Sequence, residues 1–217
     1  MDFDAAREQM VVDQLEARDI THPGVLAAMR KVPRHLFVPP DLRHLAYRDG
    51  PLPIGNDQTI SQPYIVALMT QYLAPLKSET ILEIGTGSGY QAAVLAELSG
   101  QVFSLERDRH LAEQAGKRLA DLGYTNVEVY VGDGSQGLPD MAPFDAILVT
   151  AAAPSVPNPL PMQLRDGGRL VLPVGNREGQ FLERVWRTDD AWRVERLAPV
   201  MFVPLVGRYG FSNRKRR

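Results

Sequence analysis

Three glycines at alternate positions, Gly85, Gly87 and Gly89, follow an apolar run that contains one acid: Leu82-Glu83-Ile84-Gly85-Thr86-Gly87-Ser88-Gly89-Tyr90. Glycine tolerates backbone conformations and close approaches that a Cβ forbids. The run therefore makes a strand-to-helix turn that lies against a ligand, and its spacing selects the ligand class. A dinucleotide turn carries its third glycine three places after the second, and that place here is Tyr90. Gly85, Thr86, Gly87 and Gly89 thus suit a compact nucleoside better than a pyrophosphate seated on a helix end. The turn has no basic residue awaiting a phosphate and lacks the Gly-Lys-Ser/Thr ending of an ATP-binding loop.

Two further acids have matching chemistry. Glu106 follows the next apolar run, where a carboxylate can accept hydrogen bonds from both ribose hydroxyls. Asp133, between Gly132 and Gly134, can accept from an adenine amino group while the glycines let the base approach. Alone, Glu106 could be a solvated strand end and Gly132-Asp133-Gly134 a plain turn. Together they mark three strand ends in register around one nucleoside crevice. Opposite them is the polar stretch 52–63, which ends at Ser61-Gln62-Pro63. With Pro63 as the first helical residue, the free N–H groups and the Ser61 hydroxyl suit a carboxylate. Thr59 and Ser61 could equally cap that helix, and the two roles can coexist.

The elements that position these residues follow from hydrophobic period. An amphipathic helix is expected over 3–19, burying Met10, Val11 and Leu15. A second starts at Pro23 with Val25, Leu26, Met29 and Val32 inward. Residues 33–55, with five prolines, read as loop. A third helix, Pro63–Leu73, buries Ile65, Leu68, Met69 and Tyr72. Strands and helices then alternate: strand Thr80–Ile84, helix 91–98, strand 101–105, and helix 109–122 with Glu113 and Lys117 spaced to pair. Strands Val127–Val131 and Phe144–Val149, a short helix near 160–164 and strand 169–174 follow. Runs near 181–187 and 192–201 look like an antiparallel pair. This order predicts an α/β fold, a doubly wound, mostly parallel Rossmann-like sheet with helices on both faces and an N-terminal helical extension. The ligand crevice of such a sheet lies at the carboxyl ends of its strands.

The 217 residues suit a single domain, divided into an N-terminal region (1–75), a cofactor-binding core (76–207) and a basic tail (208–217). A composition 44% hydrophobic and 23% charged is that of a globular chain, not a disordered one. The net charge of −2 gives no general drive toward nucleic acid, and Asn213-Arg214-Lys215-Arg216-Arg217 reads as a solvated terminus. With no cysteine, disulfides, thiolate metal sites and a cysteine nucleophile are excluded. His22, His35, His44 and His110 show no metal spacing. No signal peptide or long apolar span is visible, so a cytoplasmic protein without membrane contact is expected.

The glycine turn resembles the first motif of S-adenosylmethionine-dependent methyltransferases. The stretch 52–63, the turn with Tyr90-Gln91, and Gly132-Asp133-Gly134 narrow the match. So do Ala142-Pro143-Phe144-Asp145-Ala146-Ile147, Thr150-Ala151-Ala152-Ala153-Pro154, residues 167–175 and Phe202-Val203-Pro204-Leu205. With Val32-Pro33-Arg34 and Phe37-Val38, they resemble the protein-L-isoaspartate O-methyltransferase family from about residue 8 to 207. Leu138 departs from it, because an aromatic usually follows Gly137 there.

The resemblance implies Ser61 as the active-site serine. It implies cofactor contacts at Ile54, Gly55, Asn56, Asp57, Gln62, Glu83, Glu106, Arg107, Asp133 and Gly134. Thr59, Ser61, Thr150 and Ala151 are expected on the substrate side. The small side chains after position 149 either leave room for a peptide backbone or serve close strand packing. The implied reaction is methyl transfer from S-adenosylmethionine to the free α-carboxylate of an isoaspartyl residue. That group is ionised at pH 7, so no general base is required. The expected partners are isoaspartyl proteins and peptides, with no nucleic acid, and the expected state is a monomer. Two rivals stay open: a methyltransferase of the same fold acting on a small molecule or an ordinary side chain, and a binding module that has lost transfer.

Overall fold

The computed structural model describes residues 1–188 and 191–212. Its centre is a seven-stranded sheet in the order β5-β4-β3-β6-β7-β8-β9. The strands are β3 (Thr80–Ile84), β4 (Gln101–Glu106), β5 (Val127–Val131), β6 (Phe144–Val149), β7 (Leu164–Asn176), β8 (Gly179–Thr188) and β9 (Ala191–Val200). β3 through β7 run parallel, and β7-β8-β9 form an antiparallel meander. The chain moves from β3 outward to β5, then returns to the other side of β3 at β6. That reversal opens a crevice beyond the carboxyl ends of β3, β4 and β6.

The two faces of the sheet are covered unequally. Helices α3 (Pro63–Leu73), α4 (Tyr90–Ala96) and α5 (Arg109–Asp121) carry the helical layer, and Met69, Leu73 and Leu95 pack with Ile81, Val102 and Ala146. On the other face Leu82, Ile84, Leu105, Ile147 and Leu170 are covered by Leu160, in the one-turn α6 (Pro159–Met162), and by Leu205. On α3 the buried residues are Pro63, Val66, Ala67, Leu68, Met69, Thr70 and Leu73, whereas Ile65 and Tyr72 are only half-buried. On α5 Lys117 pairs with Asp121 at 2.7 Å, a turn beyond the Glu113 that the spacing had suggested.

The N-terminal region differs from the expected single helix and loop. α1 (Phe3–Met10) passes into a π-helical turn over Val11–Glu16, which leaves Met10, Val11 and Leu15 all buried. α2 (Pro23–Lys31) starts at Pro23 as expected, with the His22 ring accepting from the Val25 N–H at 3.3 Å. The stretch expected as loop contains two 3-10 turns, Arg34–Leu36 and Pro40–Leu45, and strand β1 (Leu52–Gly55). β1 pairs antiparallel with β2 (Gln58–Ile60). Asn56 and Asp57, both at positive φ, make the two-residue turn between them, the geometry that matches strand twist in a tight hairpin. β7 begins five residues earlier than the 169–174 run suggested, through a register shift against β6 between Phe144 and Ala146. The basic residues 213–217 lie outside the described residues. Among those described, no helix is long and apolar enough to cross a membrane.

Candidate active site

A cavity of about 620 Å³ fills the crevice, a size suited to a nucleoside-containing ligand. Its floor is the turn after β3. Gly85 has φ +96°, and a Cβ there would fall 2.2 Å from the Thr150 hydroxyl. That hydroxyl donates to the Gly85 carbonyl at 2.7 Å, and the Thr150 N–H donates to Ile84 O at 2.9 Å. Thr150 therefore lines the cavity with its hydroxyl proton already used on the turn. Ala151 lines it as well, whereas Ala152 and Ala153 are wholly buried and bridge to Pro204 and Val174. The small residues thus divide: the first two border the cavity, and the next two serve close strand packing.

Glu106, at the end of β4, is the acid that faces the turn. Its Oε2 accepts from Gly87 N at 2.9 Å and its Oε1 from Asp108 N at 3.0 Å. Each carboxylate oxygen keeps a second lone pair, so a vicinal diol can still be received. Ile84, Leu105, Leu205 and Val206 give the cavity an apolar lining suited to a flat base. A polar diol acceptor beside an apolar lining in a cavity of this size fits a nucleoside-bearing methyl donor.

Glu83 does not line the cavity. It is fully buried beneath the turn, where Ser104 donates to one oxygen and the other has no hydrogen-bond partner among the described residues. Ser104 is in turn bonded to Thr86 at 2.6 Å. Burial pushes the Glu83 carboxyl up to about 8, the Ser104 bond opposes this, and nearby Glu106 adds to it. Asp133 lines a smaller pocket with Gly132 and Gly207 that shares Arg107 and Val206 with this cavity. It receives Ser135 N and Oγ on Oδ1 (3.0 and 2.7 Å), and Gln136 Nε2 and Arg208 N on Oδ2 (3.1 and 2.8 Å). Burial raises its pKa, but these bonds outweigh it and hold the carboxyl below the usual range.

The hairpin β1-β2 supplies the opposite wall. Its tip is tied across the cavity mouth by the Asn56 amide, which donates to Asp108 at 2.9 Å. Asn56, Asp57, Thr59 and Ser61 line the cavity with Gly85, Thr86, Gly87, Glu106, Arg107 and Gly134. Ile54, Gly55, Gln62 and Gly89 do not. Gln62 donates to Asp49, and Gly89, at φ +88°, packs under α5 near Ala115 and Leu119. The N-cap of α3 is Gln62, and no side chain caps the helix. The Ser61 hydroxyl is therefore not a cap. Among the described residues it has no partner, while its backbone carbonyl accepts from Arg34 Nη2 at 2.7 Å.

The roof comes from residues absent from the expected site: Val203, Pro204, Leu205 and Val206. Leu205 N donates to Ala152 O at 2.7 Å, and Arg208 N holds the strap to Asp133. Asp108 was also missed. The sequence signal for it was its place as N-cap of α5, where it accepts from His110 N and Leu111 N.

A family model described as protein-L-isoaspartate(D-aspartate) O-methyltransferase matches residues 6–210. A curated relative named protein-L-isoaspartate O-methyltransferase, from Methanospirillum hungatei, is 56% identical over 206 residues, covering 95% of each chain. A solved structure of a protein-L-isoaspartate O-methyltransferase superposes with a TM-score of 0.84 at 28% identity, over 94% of this chain and 67% of the other. A second, from Plasmodium falciparum and described as a putative enzyme of the same name in complex with S-adenosyl-L-homocysteine, shares the fold (TM-score 0.81, 24% identity, 92% and 98% coverage).

Proposed function

The chain belongs to the protein-L-isoaspartate(D-aspartate) O-methyltransferase family, and on that premise we propose how its cavity works. The protein methylates the free α-carboxylate of L-isoaspartyl residues in proteins and peptides and so initiates their repair through a succinimide. S-adenosylmethionine, when bound, supplies a methyl group activated by its sulfonium. The glycine turn would hold its amino-acid part, Glu106 would receive the ribose hydroxyls, and the apolar lining of Ile84, Leu105 and Leu205 would take the base.

Ser61 carries the reading. Its hydroxyl, without a partner among the described residues, borders the same cavity as Glu106 and the glycine turn, where it can donate to an acceptor carboxylate. The carboxylate is already a nucleophile at pH 7, so no residue needs to remove a proton. The residues hold oxygen and methyl in line and exclude water; catalysis is by proximity and orientation. Ser61 orients and does not attack. Thr59 borders the peptide and the hairpin tip, Asn56 and Asp57, the cofactor, while Glu83 and Asp133 support the site by bracing the turn and residues 203–208. We read the chain as a single-domain, cytoplasmic monomer with no nucleic-acid partner, in keeping with its net charge of −2.

The test offers labelled S-adenosylmethionine with paired peptides that differ only in Asp against isoAsp. Label on the isoAsp peptide alone, released by mild base as methanol, is expected. Equal labelling of both peptides, or cofactor binding without transfer, overturns the reading.

A further inference from the structure

Arg34 is wholly buried, and among the described residues no acid pairs with it. It opens the 3-10 turn Arg34–Leu36, just after Pro33. Its Nε donates to Ala46 O at 2.8 Å and its Nη2 to Ser61 O at 2.7 Å. The guanidinium carbon sits 4.9 Å from the centre of the Tyr90 ring. Nη1 has no hydrogen-bond partner among the described residues. Burial holds its pKa down to about 10, so it remains a cation at neutral pH.

An unpaired buried cation is expensive, and joining two carbonyls does not by itself require a charge. Fork-like donors could hold both Ala46 and Ser61 without it. Ser61 and Tyr90, which touch this cation, also line the cavity. Tyr90 is buried, so a fixed charge acts past it more strongly than through water.

We propose that Arg34 is a positioning residue for the acceptor. Its guanidinium fixes the backbone that presents the Ser61 hydroxyl, and its positive charge is answered by the substrate's own α-carboxylate. This rests on the carboxylate-methylating reading above. The protein then favours an ionised carboxylate over its neutral methyl ester, which assists release of the product as well as binding of the substrate.

Arg34→Met and Arg34→Lys test it, alongside the wild-type protein. Three readouts are needed: KM and kcat for an isoaspartyl peptide, S-adenosylmethionine affinity by calorimetry, and competition between that peptide and its pre-methylated ester. Arg34→Met should keep cofactor affinity within about twofold and raise peptide KM by about tenfold or more, as loss of a charged hydrogen-bonding group does. It should also lose the preference for carboxylate over ester. Arg34→Lys, which keeps the charge without the fork, should recover that preference at a lower kcat. An Arg34→Met protein that discriminates carboxylate from ester as wild type does overturns the proposal. So does one that loses peptide and cofactor affinity in equal measure. If Arg34→Met does not fold, Arg34→Lys decides: preference retained at reduced kcat supports the assignment, and preference lost or kcat unchanged overturns it. Absence of wild-type turnover on the isoaspartyl peptide overturns the activity reading itself. Wild-type turnover beside an unaltered Arg34→Met overturns only the role of Arg34.

Discussion

Glu106 accepts the Gly87 N–H at 2.9 Å, so the end of β4 holds the glycine turn of β3 from the side. The same carboxylate takes Asp108 N at the start of α5. One side chain thus joins two strand ends and a helix, and it remains the acceptor nearest to where a ribose would lie. Glu106→Ala should weaken S-adenosylmethionine binding by about 10- to 100-fold, since bonds to a charged acceptor are worth roughly 1.5–3 kcal/mol. Calorimetry checks this, and an unchanged Kd would remove Glu106 from the cofactor site.

Ser61→Ala separates a ligand from a cap. Removing a true N-cap costs about 1 kcal/mol of stability, but α3 is capped by no side chain. Stability should therefore change by less than about 0.5 kcal/mol, with cofactor affinity intact, while kcat/KM on an isoaspartyl peptide falls by about tenfold or more. A denaturant midpoint that drops as a lost cap would, with turnover preserved, contradicts the assignment.

Glu83 gives the ligand-free protein a pH dependence of defined sign. Its carboxyl titrates near 8 when folded, against 4.5 as the ordinary value. Between those values the folded state holds the extra proton, so stability falls as pH rises from about 5 to 8. Glu83→Gln cannot ionise. Its melting temperature should vary less over that range and exceed wild type by more than about 3 °C at pH 8.5, roughly 1 kcal/mol at this size. Parallel melting curves for the two proteins from pH 5 to 9 would rule this out.

Gly207 has no room for a side chain: a Cβ there would lie 1.9 Å from Asp133 Oδ1 and 2.5 Å from Ser135 Oγ. Gly207→Ala must push the strap off Asp133. It should lower cofactor affinity by about tenfold or more, a change of about 1.4 kcal/mol. Gly179→Ala, where nothing lies within 4 Å, is the control. Equal cofactor affinity in both variants would show that the strap plays no part in binding.

The sheet was legible because β3, β4 and β5 are short, largely apolar runs closed by Gly85, Glu106 and Gly132 at the end where the ligand crevice lies, and β6 is a continuous buried run. The hairpin was not, since Pro53 within a four-residue strand reads as loop and only the turn pair Asn56-Asp57 signals the reversal. The start of β7 was hidden by Arg165-Asp166-Gly167-Gly168, which lacks strand propensity and falls in the register shift between the pairs Phe144–Leu164 and Ala146–Arg169. In the site, spacing found Glu106 and Ser61 because each sits at the end of a regular element. Spacing could not show that Asp133 turns toward Arg208 or that Glu83 lies beneath the floor, because both directions are set by partners distant in sequence. The roof at residues 203–206 was invisible for the same reason: Ala152 places it, not any local pattern.

That roof also orders events in time. Residues 84–107 make the floor of the cavity and 203–206 close it, so a chain emerging from the ribosome displays its glycine turn about a hundred residues before it can retain a nucleoside. Closure of the cavity is therefore a late event in the biosynthesis of this protein. A translation product that stops short of Val203 lacks that closure.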